Sequence, residues 1–393
     1  MKFDLLLIGS GLANALIALK ISEQHPRCRI GILERAPVAV GEKIWSYYDS
    51  DLGKEQAQWM DRFKSFRWPG YSVRFGSFER SILNPYASIR SSQIRSALEL
   101  RSNIQLICES NIVEASGSHA ATQSGECYYA YAVIDGRGSR PSAPWSIGCQ
   151  KFVGLEVELE VEHGLSSPVI MDADVEQKEG YRFVYLLPFS DTRMLVEDTR
   201  YSDVGAIDRN QIRSDIESYL ATQGWKVSTV HREETGILPI LLAMDFNSFW
   251  PVTDRLPRSG LRAGLFQPTT GYSLPQAVDL AFKVASAWPM NSQQLAVFTR
   301  DISKNHFEST WFYRFLNRML FRAGNPHERD RVFERFYGLP ESLIKRFYAS
   351  KINHFDKARL VSGKPPLPFF ESLRFISERK LVEKEITPIS SAD

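Results

Sequence analysis

Two glycines and a distant acid are the first residues in this chain whose spacing suits a ligand. Gly9-Ser10-Gly11-Leu12-Ala13 follows the apolar run Leu5-Leu6-Leu7-Ile8, and Glu34 closes a second short run, Ile30-Gly31-Ile32-Leu33. The pattern predicts strand, glycine turn, helix, strand, acid. Glycines let the turn tighten and bring backbone close to a pyrophosphate, while the helix N-terminus offers unpaired N–H groups and a partial positive charge. An acid at the end of the second strand can accept hydrogen bonds from a ribose. The chemistry is dinucleotide binding, with Gly9, Ser10, Gly11, Leu12, Ala13 and Glu34 as the candidate residues. Asn14 replaces the third glycine of such fingerprints, and the alternative is a strand–helix pair whose glycines serve packing alone.

Two further segments could meet the same ligand. Val133-Ile134-Asp135-Gly136-Arg137-Gly138 is an apolar run ending in small residues, as expected of a strand that delivers Asp135, Gly136 and Gly138 to a nucleotide at its carboxyl end. Taken alone it is also simply a turn. Residues 260–274 read as a short strand, a turn rich in Gly, Pro and Thr, and then a helix to about residue 288. That turn, with Gly264, Pro268, Thr270 and Gly271, can lay backbone N–H groups against a flat heteroaromatic ring. The loop 41–48, with Trp45, either crosses the cofactor site or is a surface loop with one buried tryptophan.

The carboxylates Glu197 and Asp198 sit in Met194-Leu195-Val196-Glu197-Asp198-Thr199, a strand by pattern. Neighbours on a strand point to opposite faces, so only one of the two can face a given cavity. By residue type alone the pair reads as a solvated, charged strand end.

The elements that position these groups form roughly two domains on length alone, since the chain has 393 residues. The reading is α/β: a nucleotide-binding domain in two pieces, 1–150 and 255–300, with a β-rich substrate domain, 151–254, inserted between them. Within it 155–161 alternates strictly and predicts a half-exposed strand, and 210–223 predicts a helix closed by Gly224. Residues 91–100 predict a helix capped by Ser91-Ser92. A helical region, 301–370, follows, and 371–393 reads as a frayed tail. In the helical region Trp311, Phe312, Phe315 and Leu316 share a face beside a row of Arg314, Arg318 and Arg322, and two similar sets follow at 331–337 and 343–348. Each is either a core stripe with a solvated basic face or a helix lying in a membrane interface, and three in succession point to the second.

Composition excludes several classes. Basic residues number 48 against 46 acidic ones, which gives no case for a nucleic-acid partner. The four cysteines lack a C-x-x-C, and the seven histidines lack metal spacing, so the reading is a cytoplasmic protein with reduced thiols and no metal site. No run of eighteen apolar residues is present, so a span of the bilayer is not expected.

The chain resembles the bacterial lycopene β-cyclase family of carotenoid biosynthesis over most of its length. The residues that carry this are Gly9-Ser10-Gly11-Leu12-Ala13-Asn14, Trp45-Ser46, Asp135-Gly136-Arg137-Gly138, His163-Gly164-Leu165-Ser166-Ser167-Pro168, Glu197-Asp198-Thr199, Pro268-Thr269-Thr270-Gly271-Tyr272-Ser273-Leu274-Pro275 and Phe336-Tyr337-Gly338-Leu339-Pro340. The resemblance implies a Rossmann-like FAD-binding fold of the kind shared by aromatic hydroxylases and geranylgeranyl reductases. It further implies reduced FAD with NAD(P)H as electron donor, and cyclisation of lycopene without net redox change. Glu197 is then the acid, Asp198 a supporting residue, and Glu233 and Glu234 either helpers of Glu197 or part of a solvated loop. The expected partners are lycopene, the surface of a lipid bilayer and possible neighbouring carotenoid enzymes, with the protein held peripherally at the membrane. A flavin-dependent reductase or hydroxylase of an isoprenoid would use the same scaffold, and a nucleotide-binding membrane-surface protein without catalysis is a third reading.

Overall fold

The computed structural model describes residues 2–139, 144–362 and 377–385. The apolar run Lys2–Ile8 is the centre of a six-stranded sheet. It pairs in parallel with Ile30–Leu33 on one side and with Cys127–Asp135 on the other, and Ile104–Ile107 extends the parallel set. His119–Thr122 and Ile112–Ala115 complete the far edge antiparallel. Helix Leu12–Gln24 is buried along almost its whole length because it lies between this sheet and helix Leu274–Ala287, which explains an apolar run with little amphipathic contrast. The residues after the glycine turn and those after 273 are thus neighbours in space, although some 250 positions separate them.

The second sheet has seven strands in the order Val227–Met244, Trp145–Leu159, Arg193–Ser202, Tyr181–Pro188, Val169–Asp172, Tyr71–Phe75, Phe78–Ile82. Two of its strands, Tyr71–Phe75 and Phe78–Ile82, come from the stretch that the sequence reading keeps with the nucleotide-binding half; Tyr71–Phe75 joins through a parallel pairing with Val169–Asp172. A three-stranded sheet of Ile44–Tyr48, Tyr86–Arg90 and Phe66–Trp68 bridges the two halves. Residues 44–48 are therefore a strand and not a loop.

Several expectations need correction. The strand over 155–159 is not half-exposed: Glu156 is 1% exposed, its carboxylate held by Arg90, Arg193 and Arg232. The apolar side of the same strand packs under helix Arg209–Thr222. Ser91 does not cap helix Ser91–Glu99; its hydroxyl donates to the Gly41 carbonyl and ties the 41–44 segment in place. Residues Gly260–Ala263 form a 3-10 turn where a strand was expected, because Gly260 and Gly264 both take positive φ.

The largest correction concerns the basic rows. Arg314, only 1% exposed, and Arg318 point inward. Their guanidinium groups bind the carbonyls of Phe307 and Leu242 and the carboxylate of Glu378. Glu378 belongs to helix Glu378–Glu385, so the described part of the supposed tail is an ordered element packed on the Val227–Met244 strand. The rest of 371–393 lies outside the described residues. The apolar and aromatic residues of the second and third sets, Phe333, Tyr337 and Ile344 among them, join the core beneath the seven-stranded sheet. These are core stripes, and the sequence inference of a lipid-facing aromatic and basic surface does not survive for them.

Candidate active site

Strand register places the candidate acid. Glu197 lies opposite Gly154 on the neighbouring strand, and Glu234 lies opposite the same glycine from the other side. Residues directly opposite one another share a sheet face. With no side chain between them, the two carboxyl groups converge over Gly154; a Cβ there would already sit 3.4 Å from Glu197 Cβ. Tyr185, opposite Glu197 on its remaining side, extends the row. Its hydroxyl donates to Ser46 Oγ at 3.0 Å and shares a 2.8 Å hydrogen bond with Tyr86. Ser46 is thereby joined to the sheet that carries Glu197.

Asp198 points the other way, as strand alternation requires. It is fully buried and paired with Arg182 Nε at 2.7 Å and Arg200 Nε at 3.1 Å. Glu233 also leaves the site, since it is ion-paired with Arg213 of the helix on the opposite face at 3.0 Å. Glu234 is half of an ion pair with Arg232 Nη1 at 2.6 Å, inside the sheet and not in a solvated loop.

A cavity of about 310 Å³ covers Glu197, Gly236, Tyr272, Trp45 and Lys43. Glu197 is 9% exposed. Burial, reinforced by the charge of Glu234, pushes its carboxyl up to about 8, against the opposing pull of the Thr199 hydroxyl and the cations Lys43 and Arg232. Thr199 Oγ1 donates to Oε1 of Glu197 at 2.9 Å, which leaves Oε2 as the oxygen to carry a proton. The arrangement is a neutral carboxylic acid facing a largely apolar cavity at neutral pH, with an ion-paired second carboxyl beside it. It can deliver a proton to a bound group and take one back.

The glycine turn stands at the edge of the six-stranded sheet. Gly9 has φ +85, and a Cβ there would meet the Gly136 carbonyl at 3.0 Å, so the first and second glycine segments pack backbone to backbone. Asn14 donates to the Ile8 and Gly9 carbonyls and accepts from Ser259 Oγ, which fixes the turn where fingerprints of this type carry a third glycine. Gly136 has no room for a side chain, since a Cβ would lie 2.4 Å from Asn14 Nδ2. Helix Leu12–Gln24 starts with no side-chain cap and no acidic residue in its first turn, and beyond Gly11 a Cβ would touch nothing nearer than 4.0 Å. Such an end is suited to an anion.

Glu34 accepts from Ser10 N at 2.8 Å, Ser10 Oγ at 2.7 Å and Ala36 N at 2.9 Å. Burial works to raise its carboxyl, but these donors outweigh it and hold the group below the ordinary range. Asp135 is buried and clamped by Arg137 and Arg262 at 2.9 and 3.0 Å. Burial again opposes ionisation, and the two guanidinium groups overcome it. Gly138 takes φ +76 in open space.

The third segment closes the site. Gln267 Oε1 accepts from the N–H groups of Thr269 and Thr270, a side-chain staple that shapes the turn. The Pro268 carbonyl accepts from Leu241 N and Asn317 Nδ2. Gly271 takes φ +71 and packs so closely that a Cβ would lie 2.6 Å from Leu238 Cβ. The turn then enters helix Leu274–Ala287, again without a side-chain cap or first-turn acid. Gly264 and Gly271 thus belong to a turn pressed against the Glu234 strand, and Gly271 and Tyr272 line the same cavity as Glu197.

Sequence reasoning missed Gly154, Tyr185, Arg232 and Gln267. Gly154 precedes the alternating apolar and acidic run 155–159, a visible signal, but its meaning depends on three strands in register.

Comparison with known proteins follows the same lines. The model of the family described as lycopene cyclase protein matches residues 4–374. The chain is 43% identical over 373 residues to a lycopene beta-cyclase of Pseudescherichia vulneris, covering 94% of this chain and 96% of that protein. Among solved structures it is similar to p-nitrophenol 4-monooxygenase from Pseudomonas putida DLL-E4, with a TM-score of 0.60 at 15% identity, covering 91% of this chain and 98% of that one. It is also similar to a geranylgeranyl bacteriochlorophyll reductase-like protein from Thermoplasma acidophilum, with a TM-score of 0.55 at 14% identity and 98% of both chains covered. These two structures show the shared fold.

Proposed function

The chain belongs to the lycopene cyclase family, and from that premise we propose that it closes the ψ ends of lycopene into β rings with Glu197 as the proton donor. The observation that carries this is the Glu197 carboxyl, enclosed with Glu234 over Gly154 and pushed up to about 8. Protonation of the terminal alkene by Glu197 leaves a tertiary cation. Attack by the second double bond forms the new carbon–carbon bond and moves the positive charge into the ring. Loss of a ring proton restores neutrality, so the product is an isomer of the substrate. Glu234, ion-paired with Arg232, is our candidate to receive that proton; Asp198 supports the strand from its far face through Arg182 and Arg200.

The residues present fit FAD. The uncapped first turn of helix Leu12–Gln24 with Gly9, Ser10, Gly11, Leu12 and Ala13 would hold its pyrophosphate, and Glu34 its ribose. Asp135, Gly136 and Gly138 shape the neighbouring wall, and the turn of Gly264, Pro268, Thr270 and Gly271 would carry the ring. When bound and reduced, with NAD(P)H as electron donor, FAD would supply an electron-rich ring beside the developing positive charge. The chain's own contribution is to bind, to exclude water with Phe152, Tyr185, Leu195 and Tyr272, and to hold the proton on Glu197.

Lycopene must come from a bilayer, and among the described residues no helix is long and apolar enough to cross one. We place the protein peripherally on the cytoplasmic membrane surface. Trp311, 48% exposed with Lys357 Nζ 5.4 Å from its ring, and Phe355, 86% exposed, are the large apolar groups that support contact there. Anaerobic incubation with lycopene, liposomes and pre-reduced FAD, followed by chromatography and mass analysis, tests the reading. A product of unchanged mass is expected; a product that has gained hydrogen or oxygen would support a reductase or hydroxylase on the same fold.

A further inference from the structure

A second cavity lies under the C-terminal helices, and the chemistry above makes no use of it. Leu316, Met319, Val332 and Phe336 form its helical walls, and Met171 and Tyr201 of the seven-stranded sheet form its floor. Two polar donors at its inner end are turned into the backbone. The Tyr201 hydroxyl donates to the Thr269 carbonyl, and the Asn317 amide donates to the carbonyls of Leu241 and Pro268. The rest of the lining is mostly hydrocarbon, with Thr269 Oγ1 and Asn317 Oδ1 as buried polar atoms that make no hydrogen bond among the described residues.

Its position matters as much as its lining. Thr269 and Thr270 border this chamber, whereas the next two residues, Gly271 and Tyr272, border the cavity of Glu197. One turn of chain therefore separates the two. Tyr201 and Glu197 share a face of one strand, four residues or about 13 Å apart. Tyr272 lines the cavity of Glu197 and lies within electrostatic reach of Glu197, Tyr86, Tyr201 and Tyr348. The outer rim is formed by Arg335, Leu360 and Val361. Arg335 holds the Ser362 carbonyl and Arg346 holds Asp356 at 2.7 and 2.6 Å, so two arginines fasten helix His354–Val361 beside the rim. Phe355, the most exposed large apolar residue of the region, is on that same helix.

We propose that this chamber receives a stretch of the far arm of a long linear polyene while the near end lies at Glu197, with the 269–272 turn as the partition that the chain passes. The proposal rests on the cyclase reading and adds where the substrate's non-reacting length is held. A hydrocarbon has no group to hydrogen-bond, so its affinity comes from removing apolar surface from water. The chamber, about 130 Å³, and the reaction cavity, about 310 Å³, offer that surface on either side of the 269–272 turn, and the rim lies beside the helix that carries Phe355, the side from which a lipid-dissolved molecule would enter.

Filling the chamber tests this. Leu316→Phe and Val332→Phe add bulk from two different helices. Each is assayed in its FAD-loaded form with lycopene and with a half-length polyene aldehyde that carries a single ψ end. The ratio of kcat/KM for lycopene to that for the short polyene should fall about tenfold, through KM, the scale expected when added bulk must be accommodated in a packed site. An unchanged ratio overturns the proposal, whether both activities fall together or neither does. If the unsubstituted enzyme cyclises neither polyene, the cyclase reading fails and not merely the place of the arm.

Discussion

Glu197→Gln keeps the shape of the side chain and removes its titration, which makes it the sharpest probe of the site. In the folded protein this carboxyl is pushed up to about 8 from the ordinary 4.5, chiefly by burial and then by Glu234. Because the folded value is raised, the folded state keeps the proton between pH 4.5 and 8 while the unfolded chain gives it up. Stability is undiminished below 4.5, falls as the pH rises through that window, and levels off above 8. At about 1.36 kcal/mol per pH unit, the whole window amounts to roughly 5 kcal/mol as an upper scale. The glutamine variant carries no such loss. Denaturation midpoints of the FAD-loaded proteins, measured from pH 4 to 9, should therefore diverge in favour of Glu197→Gln as the pH rises, with the growth confined to that window. A difference that is flat across pH 5–8 would refute the claim that Glu197 is held neutral.

Glu234→Gln should lower the pH at which cyclisation fails on the alkaline side, because removing the neighbouring negative charge lets Glu197 ionise more easily; a pH–rate profile checks the direction. Gly136→Ala forces a Cβ to within 2.4 Å of Asn14 Nδ2. It should cost about 1–3 kcal/mol and weaken flavin retention, read by denaturation and by bound FAD after gel filtration. Glu378→Ala removes the carboxylate that both Arg314 and Arg318 bind. Since Glu378 is itself partly exposed, a loss of about 1–3 kcal/mol is expected, visible in the thermal midpoint without a change in the pH profile.

Where local periodicity decides the outcome, the chain is legible. The strand–glycine–helix–strand–Glu34 unit depends on residues within one short stretch, and each piece forms as its pattern requires. The opposite orientation of Glu197 and Asp198 follows from strand alternation alone. The rest depends on partners far away in sequence. Gly154 matters because two other strands bring carboxylates to it. Arg314 and Arg318 look like a solvated row until the carbonyl of Leu242 and the carboxylate of Glu378 lie against them. Glu156 looks like the wet side of a strand until three arginines from three other strands cover it. Buried charge is the feature that a single stretch hides best, since its cost is met by groups that the stretch does not contain.

Cyclisation in deuterium oxide reaches the central claim most directly. If the Glu197 carboxyl exchanges with solvent and protonates the alkene, each β ring formed with reduced FAD should carry one deuterium at the protonated carbon while a proton leaves the ring, and Glu197→Gln should form no ring while still binding FAD. Unlabelled β-carotene, or labelled rings made by the glutamine variant at the parent rate, would contradict it.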